Sequence, residues 1–236
     1  MKYLKIRIIF FLFTIGLNSQ NKSGKITYQY HIIENPFENK GKDNITKKIF
    51  DDYYKNLIVY SNKIKYILFF NATKSNYNLE NNLALDKDKG YSTATLITGG
   101  IEEIYTDLTE KVKLKKINFL GDNFIIENKT KHEWKLTQEQ KEIGDFVCFK
   151  AILQNTEKLE VIAWYTPKIP VNFGPKGYGN LPGLILELKI GSIVYYASKI
   201  ELNPSEKIEI YKPTNGKLMT EEDFENMLKK FDKNHK

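Results

Sequence analysis

The strongest limit on the fold of this chain is a series of short runs in which apolar and polar residues alternate, separated by small polar turns. Residues 24–32 show the pattern clearly, because Ile26, Tyr28 and Tyr30 alternate with polar side chains at the two-residue period of a half-buried strand. Other runs form pairs across short turns: residues 57–60 with 64–70, 117–120 with 124–127, 146–153 with 159–165, and 184–190 with 193–200. We expect such pairs to be antiparallel, because a parallel connection needs a crossover of about a dozen residues.

The C-terminal residues change to a helical period, since Thr220 can cap a helix with Asp223 three residues later. The apolar positions that share one face of this helix are Phe224, Met227, Leu228 and Phe231. The predicted fold class is mainly β: a single antiparallel, strongly curved sheet of about ten strands, half-barrel or barrel-like, with a short C-terminal α-helix. We favour this over a closed barrel or a sandwich because strands such as residues 66–70 and 161–165 are apolar on both faces, so one face could line a cavity.

The N-terminus has the order of a secretory signal peptide. Residues 1–7 carry three positive charges, residues 8–17 form an apolar run, and polar residues follow. The run is too short for a membrane-spanning helix, which needs about 20 apolar residues, so we expect cleavage after Ser19. The mature protein would then be a single domain of residues 20–236. Because no cysteine lies beside the apolar run for lipid attachment, the expected location is the periplasm or the exterior.

The charge of the chain argues against a nucleic-acid partner. The net charge is +7, but three basic residues lie in the predicted signal peptide. The only arginine, Arg7, is one of them, so the mature chain would lack the residue best suited to bidentate contacts with phosphates and bases. The densest basic stretch, residues 111–116, alternates lysine with apolar residues, which predicts a strand with a solvated face opposite a buried one.

No pattern of catalytic or metal-ligating residues is evident. Cys148 is the single cysteine and lies in a strand-like run, so we expect it to be buried, where it would be protected from oxidation. The histidines are His31, His132 and His235, and their spacing fits neither a zinc site nor a cysteine hydrolase. We therefore expect a protein that is not an enzyme, with no cofactor and no bound metal.

Residues 163–188 form the least ordinary segment of the chain. They contain four of the seven prolines and four glycines. Proline restricts its own backbone and that of the preceding residue, while glycine admits left-handed conformations. So many stiff positions combined with large apolar side chains predict a long loop of defined shape, which leaves a strand at residue 165 and re-enters the sheet at Leu184.

Within this segment, residues 178–185 read Tyr-Gly-Asn-Leu-Pro-Gly-Leu-Ile and resemble the signature of the GLPGLI (Porph_ging-like) family of exported Bacteroidetes proteins. Residues 66–71 with Ser75, and residues 134–136 followed by 143–151, also resemble parts of that family. One departure is Asn180, where the family has glycine, but asparagine tolerates a left-handed backbone better than other residues do. The family is of unknown function, and its members look like companions of TonB-dependent outer-membrane receptors. The resemblance therefore implies a periplasmic accessory role and offers no catalytic or metal residues to carry over.

The candidate binding residues are Trp164, Pro170, Gly174, Pro175, Gly179, Leu181, Pro182, Gly183 and Leu184. We expect a non-enzymatic envelope protein that binds an outer-membrane receptor or an apolar ligand, a lipid or a hydrophobic peptide, with Trp164 and Leu181 as anchors. A purely structural role for the loop, closing the curved sheet, is the competing interpretation. An uncharacterised periplasmic hydrolase and a metal-handling envelope protein are alternative functions that the sequence supports less well.

Overall fold

The computed structural model describes residues 23–100, 102–156 and 159–234, and within them the chain forms one open sheet of twelve strands with three α-helices. The predicted signal peptide, residues 1–19, lies outside the described residues. The strands are β1 Gly24–Ile32, β2 Tyr66–Phe70, β3 Lys74–Leu79, β4 Glu102–Asp107, β5 Val112–Phe119, β6 Asp122–Glu127, β7 Trp134–Ile143, β8 Phe146–Leu153, β9 Val161–Thr166, β10 Leu184–Ile190, β11 Ile193–Leu202 and β12 Lys217–Thr220. The helices are α1 Asn44–Tyr60, α2 Lys89–Ile97 and α3 Glu221–Asn234, and a 3₁₀ turn spans Pro175–Gly177. Across the sheet the strand order is β12-β6-β5-β4-β3-β2-β1-β11-β10-β9-β8-β7.

The predicted fold class is confirmed in outline and wrong in three details. The protein is mainly β, with one large sheet and a short C-terminal helix. In the described part of the chain, however, the sheet has twelve strands rather than about ten, is mixed rather than wholly antiparallel, and is neither closed nor strongly curved. Helices α1 and α2 and the loop of residues 167–183, called the motif loop below, cover the apolar face of the sheet. The sheet therefore does not need to curl upon itself to bury that face.

The parallel pairing of β12 with β6 arises because the chain crosses the face of the sheet that is opposite to helices α1 and α2. After β11, residues 203–216 pass over the sheet, and Ile210 packs there against Tyr105, Leu114 and Ile125. The chain then reaches the far edge, where β12 pairs parallel with β6. A long crossing of this kind is what a parallel pair requires, and the hairpin pattern of the sequence does not indicate it.

Most of the predicted hairpins are confirmed. The pairs β5 with β6, β8 with β9, and β10 with β11 are antiparallel, as their short turns predict. Residues 66–70 form β2, but the hairpin partner of this strand is β3 rather than residues 57–60.

The prediction of a strand at residues 57–60 is wrong, because these residues end helix α1. The Asp43 carboxylate caps this helix by accepting from two backbone N–H groups of the first turn at 2.9 Å. The β-branched and aromatic residues of the last turn favour a strand locally. Leu57 is nevertheless completely buried, and the Tyr30 hydroxyl of β1 donates to the Leu57 carbonyl oxygen at 2.8 Å. Packing on the sheet therefore decides in favour of the helix.

Tyrosines form the centre of the core between the sheet and its covering elements. Tyr28, Tyr30, Tyr66, Tyr77 and Tyr195 are almost completely buried and pack ring against ring. A phenol can be buried where its hydroxyl finds a partner, and the hydroxyl of Tyr28 donates to a carbonyl oxygen of β10 at 2.6 Å. The hydroxyl of Tyr77 is an exception, since it has no hydrogen-bond partner among the described residues.

The predicted C-terminal helix is confirmed as α3. Thr220 Oγ1 accepts from the Asp223 N–H at 3.1 Å, as expected of the cap. Phe224 packs against Phe119 and Phe124, so the apolar face of the helix lies on the sheet. None of the described helices is both long and apolar enough to cross a membrane.

Replacement of Leu57 by alanine tests whether tertiary packing stabilises α1. We expect Leu57→Ala to lower the free energy of unfolding by about 3 kcal/mol, because it removes a completely buried side chain and leaves a cavity. The neighbouring Ile58 is 47% exposed, so Ile58→Ala should change the free energy by about 0.5 kcal/mol or less. Urea unfolding of the two variants measures the difference, and equal effects would contradict the packing argument.

Candidate functional site

The motif loop is held in place by backbone hydrogen bonds. The Leu184 N–H donates to the Ile169 carbonyl oxygen at 2.9 Å, and the Ile185 N–H donates to that of Phe173 at 3.0 Å. The apolar side chains of the loop that are buried in the core are Ile169, Val171, Phe173 and Leu181. These contacts give the loop a defined shape, as its composition predicts.

Two adjacent loop positions place strict demands on the residue that occupies them. A Cβ atom on Gly179 would lie 2.3 Å from the carbonyl oxygen of Asn172, so no side chain fits without a backbone shift. Asn180 has a φ of 68°, the left-handed conformation expected for this position. The Asn180 Nδ2 atom also donates to the His132 carbonyl oxygen at 3.0 Å. The residue that departs from the family signature thus keeps the loop shape and joins the loop to the segment before β7.

Lys176 holds the motif loop against helix α2. The ammonium group of Lys176 donates to the Thr98 carbonyl oxygen at the C-terminal end of α2 at 3.2 Å, and it lies 5.6 Å from the centre of the Tyr195 ring. Both positions favour a cation, because a helix C-terminus and an aromatic face are electronegative. Burial lowers the pKa of Lys176, and the negative charge of Glu102 opposes that shift.

An open cleft of about 680 Å³ lies between the motif loop and strands β3–β6. Its lining includes Ser75, Tyr77, Ile104, Thr106 and Lys113 from the sheet, residues 127–132 from the end of β6 and the segment after it, and Gly174, Gly177, Tyr178, Gly179 and Asn180 from the loop. An adjoining hollow of about 290 Å³ shares Lys113, His132 and Tyr178 with the cleft, so these side chains stand between the two spaces.

An aromatic stack forms one wall of the cleft. The rings of His132 and Tyr178 are stacked with their centroids 4.4 Å apart. Beside them, Trp134 Nε1 donates to the Gly179 carbonyl oxygen at 2.9 Å, which fixes the wall to the loop. Burial lowers the pKa of His132 to about 4, and the positive charge of Lys113 contributes to the shift. At neutral pH, His132 is therefore an uncharged ring.

Two lysines of β5 reach the cleft and the hollow from the sheet. Lys113 and Lys115 lie on the same face as Ile104, while Leu114 is buried on the other face. The predicted alternation is confirmed, but these lysines face the cleft and the hollow rather than open solvent. Lys115 pairs with Glu102 at 3.4 Å. Burial lowers the pKa of Lys113 to about 8, and the charge of Lys115 adds to this effect.

Few of the candidate residues from the sequence lie at the cleft. Gly174 and Gly179 line it. Elsewhere, Pro175, Leu181, Gly183 and Leu184 are buried, and Pro170 and Pro182 are exposed. Trp164 lies on the opposite face of β9 from the buried Tyr165, and the Lys141 ammonium lies 4.5 Å from the centre of the Trp164 ring. Neither of the expected anchors, Trp164 and Leu181, lines the cleft.

Most residues of the cleft and the hollow were not among the candidates from the sequence, and those that matter most for the charge and shape of the site are Lys113, His132, Lys176 and Tyr178. Lys113 belongs to the basic stretch, and Lys176 and Tyr178 belong to the motif segment, so their positions carried a signal. No sequence signal predicts that His132 approaches the loop, because the segment between β6 and β7 has no periodicity from which the position of His132 could be inferred.

Other reactive side chains lie outside the cleft. The prediction of a buried Cys148 is confirmed, and burial raises the pKa of the thiol to about 11. The carboxylate of Glu187 pairs with Lys141 at 2.7 Å, and that of Glu103 pairs with Lys116 at 3.7 Å. Among the residues described, no three or more His, Cys, Asp or Glu side chains are grouped to hold a metal ion.

Comparison with known proteins confirms the resemblance found in the motif segment. A model of the family described as "Protein of unknown function (Porph_ging)" matches residues 153–187, which run from the end of β8 through the motif loop to β10. The matched segment is similar to this family and includes the loop residues 172–180, which form one side of the cleft. No curated protein matches the chain.

Two solved structures of PNGF-II, in space groups C2 and P21, are similar to the chain, each at 18% sequence identity. The similarity covers 88% of this chain in both cases, with TM-scores of 0.56 and 0.55. The chain spans about a third of the length of PNGF-II, since 32% and 33% of those chains are covered. At this identity the similarity shows a shared fold only, and it carries no information about the activity of this chain.

Replacement of Gly179 by alanine tests the close approach within the motif loop. We expect Gly179→Ala to lower the free energy of unfolding by about 2–3 kcal/mol, because the new Cβ would overlap the carbonyl oxygen of Asn172. Gly144 is a suitable control, since it has a φ of 55° but a Cβ atom there would have no neighbour within 4 Å. Gly144→Ala should cost about 1 kcal/mol through backbone strain alone. Chemical denaturation compares the two, and a smaller cost at Gly179 would contradict the steric argument.

The half-buried ring of His132 predicts a pH dependence of stability. The pKa of His132 is about 4 in the folded protein, below the ordinary value of 6.5, so the unfolded chain binds the proton more readily. The contribution to stability is complete above pH 6.5 and is lost as the pH falls from about 6.5 to 4. His132→Phe should keep the stack on Tyr178 and remove this part of the dependence, whereas a control variant of the exposed His31, His31→Phe, should retain it. Urea unfolding at several pH values measures both, and parallel curves for wild type and His132→Phe would contradict the assignment.

Proposed function

We propose that the protein is an exported, non-enzymatic binding protein of the cell envelope, and that it holds its ligand in the cleft between the motif loop and strands β3–β6. The observation that carries this proposal is the way the cleft is built. The loop is fixed over the sheet by Lys176 and by backbone hydrogen bonds, yet a space of about 680 Å³ between them is left open. Protein interiors are close-packed, so a loop that only closed the sheet would be expected to fill this space with its side chains.

The composition of the lining supports a binding role. Tyr77, Ile104 and Tyr178 contribute apolar surface, while Asn128 and Thr130 contribute polar groups. This mixture of apolar surface with a few polar groups is typical of sites for small ligands. The buried apolar side chains of the loop stabilise the fold and leave other parts of the loop to line the cleft.

The ionisable groups of the cleft favour binding over catalysis. Asp107 pairs with Lys74 at 3.2 Å and accepts from two backbone N–H groups of the turn after β4, so its carboxylate is already engaged. His132 is stacked on Tyr178, and among the described residues no carboxylate forms an ion pair with it that would orient it as a general base.

The proposed location and partners rest on the N-terminal segment and on the family resemblance. The signal-like N-terminus supports the periplasm or the exterior as the location. The resemblance to the GLPGLI family supports a TonB-dependent outer-membrane receptor as a partner. A lipid or a hydrophobic peptide is the alternative ligand that the aromatic-rich sequence suggests.

The experiment that tests the proposal is to fill the cleft. Thr106 is half-buried on β4 and lines the cleft, and a tyrosine at this position suits a strand. The tagged wild-type protein is purified gently from its own cells after cross-linking, and the bound proteins, lipids and small molecules are identified by mass spectrometry. We expect a reproducible bound species with wild type and its loss with Thr106→Tyr.

The control variant is Leu136→Tyr, which adds a ring at an exposed position of β7 outside the cleft. This variant should retain the bound species. Equal retention by Thr106→Tyr and Leu136→Tyr, or no bound species with the wild-type protein, would contradict the proposed function. Circular dichroism and the unfolding midpoint confirm that both variants are folded.

A further inference from the structure

Lys113 differs from the other half-buried lysines at the cleft and the hollow, Lys115 and Lys176, because its ammonium group has no hydrogen-bond or ion-pair partner within the described residues. Within the described residues, no hydrogen bond or ion pair is formed by the Lys113 side chain, although the residue is half-buried and lines both the cleft and the hollow. By contrast, Lys115 pairs with Glu102, and Lys176 donates to the Thr98 carbonyl oxygen. An ammonium group that loses water without gaining a partner is costly, so an external negative charge would stabilise it.

Positively charged side chains outnumber negatively charged ones around the cleft and the hollow. The lysines that line them are Lys111, Lys113, Lys115, Lys129, Lys131 and Lys176. The carboxylates of the lining are Glu102, Asp107 and Glu127, and each is already paired with a lysine, at 3.4, 3.2 and 3.6 Å respectively. Six lysines against three paired carboxylates leave a positive potential in the cleft, which attracts anions.

The hydrogen-bonding groups beside Lys113 suit an oxyanion. The backbone of Lys113 is joined to that of Asn128 by a hydrogen bond of 2.9 Å, which places Asn128 next to it in the lining. Thr130 lines the same wall. Amide and hydroxyl donors next to an ammonium group are the usual partners of a carboxylate or a phosphate.

We propose that the ligand of the cleft carries a carboxylate or phosphate group, and that the ammonium group of Lys113 is its counter-ion. This inference rests on the proposed function and names the chemistry of the ligand. It favours a charged ligand over the purely apolar one that the sequence suggests.

The titration of Lys113 provides a direct measurement of the proposed contact. Besides burial, the charge of Lys115 on the same strand lowers the pKa of Lys113, and the carboxylate of Glu221 at the start of α3 opposes that shift. His132, which also lines the cleft, is uncharged at neutral pH. Burial keeps the pKa of Lys113 at about 8, and a bound anion would raise it because it stabilises the charged form.

The experiment uses the mature protein labelled with ¹³C and ¹⁵N at lysine, with the Lys113 Cε resonance assigned by its absence in Lys113→Gln. The probes are inorganic phosphate, succinate and phosphatidylglycerol vesicles, with phosphatidylcholine vesicles as the neutral control. We expect a saturable shift of the Lys113 resonance and a rise in its pKa with at least one anionic probe. Saturation by the vesicles alone assigns a lipid headgroup, and saturation by phosphate or succinate assigns a soluble anion.

The matched control is Lys116→Gln, because Lys116 lies on the same strand, on the opposite face, and pairs with Glu103. Lys113→Gln should weaken anion binding about tenfold or more, and Lys116→Gln should leave it unchanged. The inference is overturned if no anionic probe gives saturation, or if Lys113→Gln binds as tightly as wild type.

Capture of the bound species from cells distinguishes a failure of the anion inference from a failure of the proposed binding site. If the species captured from cells is lost with Thr106→Tyr but fully retained with Lys113→Gln, the anion inference fails and the cleft remains the binding site. If the species is retained by both variants, the proposed function fails as well.

Discussion

The carbonyl oxygen of Thr98, at the C-terminal end of α2, is the acceptor on which the arrangement of the molecule depends. It accepts the Lys176 ammonium from the motif loop and the Tyr195 hydroxyl from β11, at 3.2 and 2.9 Å. Tyr66 from β2 bonds the Thr98 hydroxyl at 2.5 Å. One helix end thus joins the loop to the middle of the sheet. Because the end of a helix has unsatisfied carbonyl groups and a partial negative charge, a lysine suits this position.

The cleft lies beside the point where Lys176 fixes the motif loop, and at this point Gly177 of the loop approaches Ile104 of β4 closely. The apolar side chains of the loop, such as Ile169 and Leu181, are buried in the core on the β9–β10 side. Gly174, Gly179 and Asn180 line one side of the cleft, and Lys113 of β5 lines the other side. The loop therefore has two structural roles: its apolar residues stabilise the fold, and its backbone and polar residues form a wall of the cleft.

The parts of the fold that could be predicted are those with a local cause. Hairpins such as β10–β11 follow from a two-residue period and a short turn, and α3 follows from the Thr220 cap and the spacing of its phenylalanines. Helix α1 could not be predicted in the same way, because the isoleucine, valine and tyrosine of its last turn favour a strand. The burial of Leu57, which decides the helix, is a contact with strands far away in the chain.

The same distinction applies to the site. The sequence by itself determined that residues 167–183 form a stiff loop, that Asn180 can adopt a left-handed backbone, and that lysine alternates with apolar residues in β5, because each of these depends only on neighbouring residues. Only the tertiary structure decided that Lys113 faces a cleft without a partner, that His132 stacks on Tyr178, and that Trp164 lies on the other face. These placements depend on strand register and on the contact of Lys176 with Thr98. Both bring together residues that are distant in the chain, and no local pattern encodes such contacts.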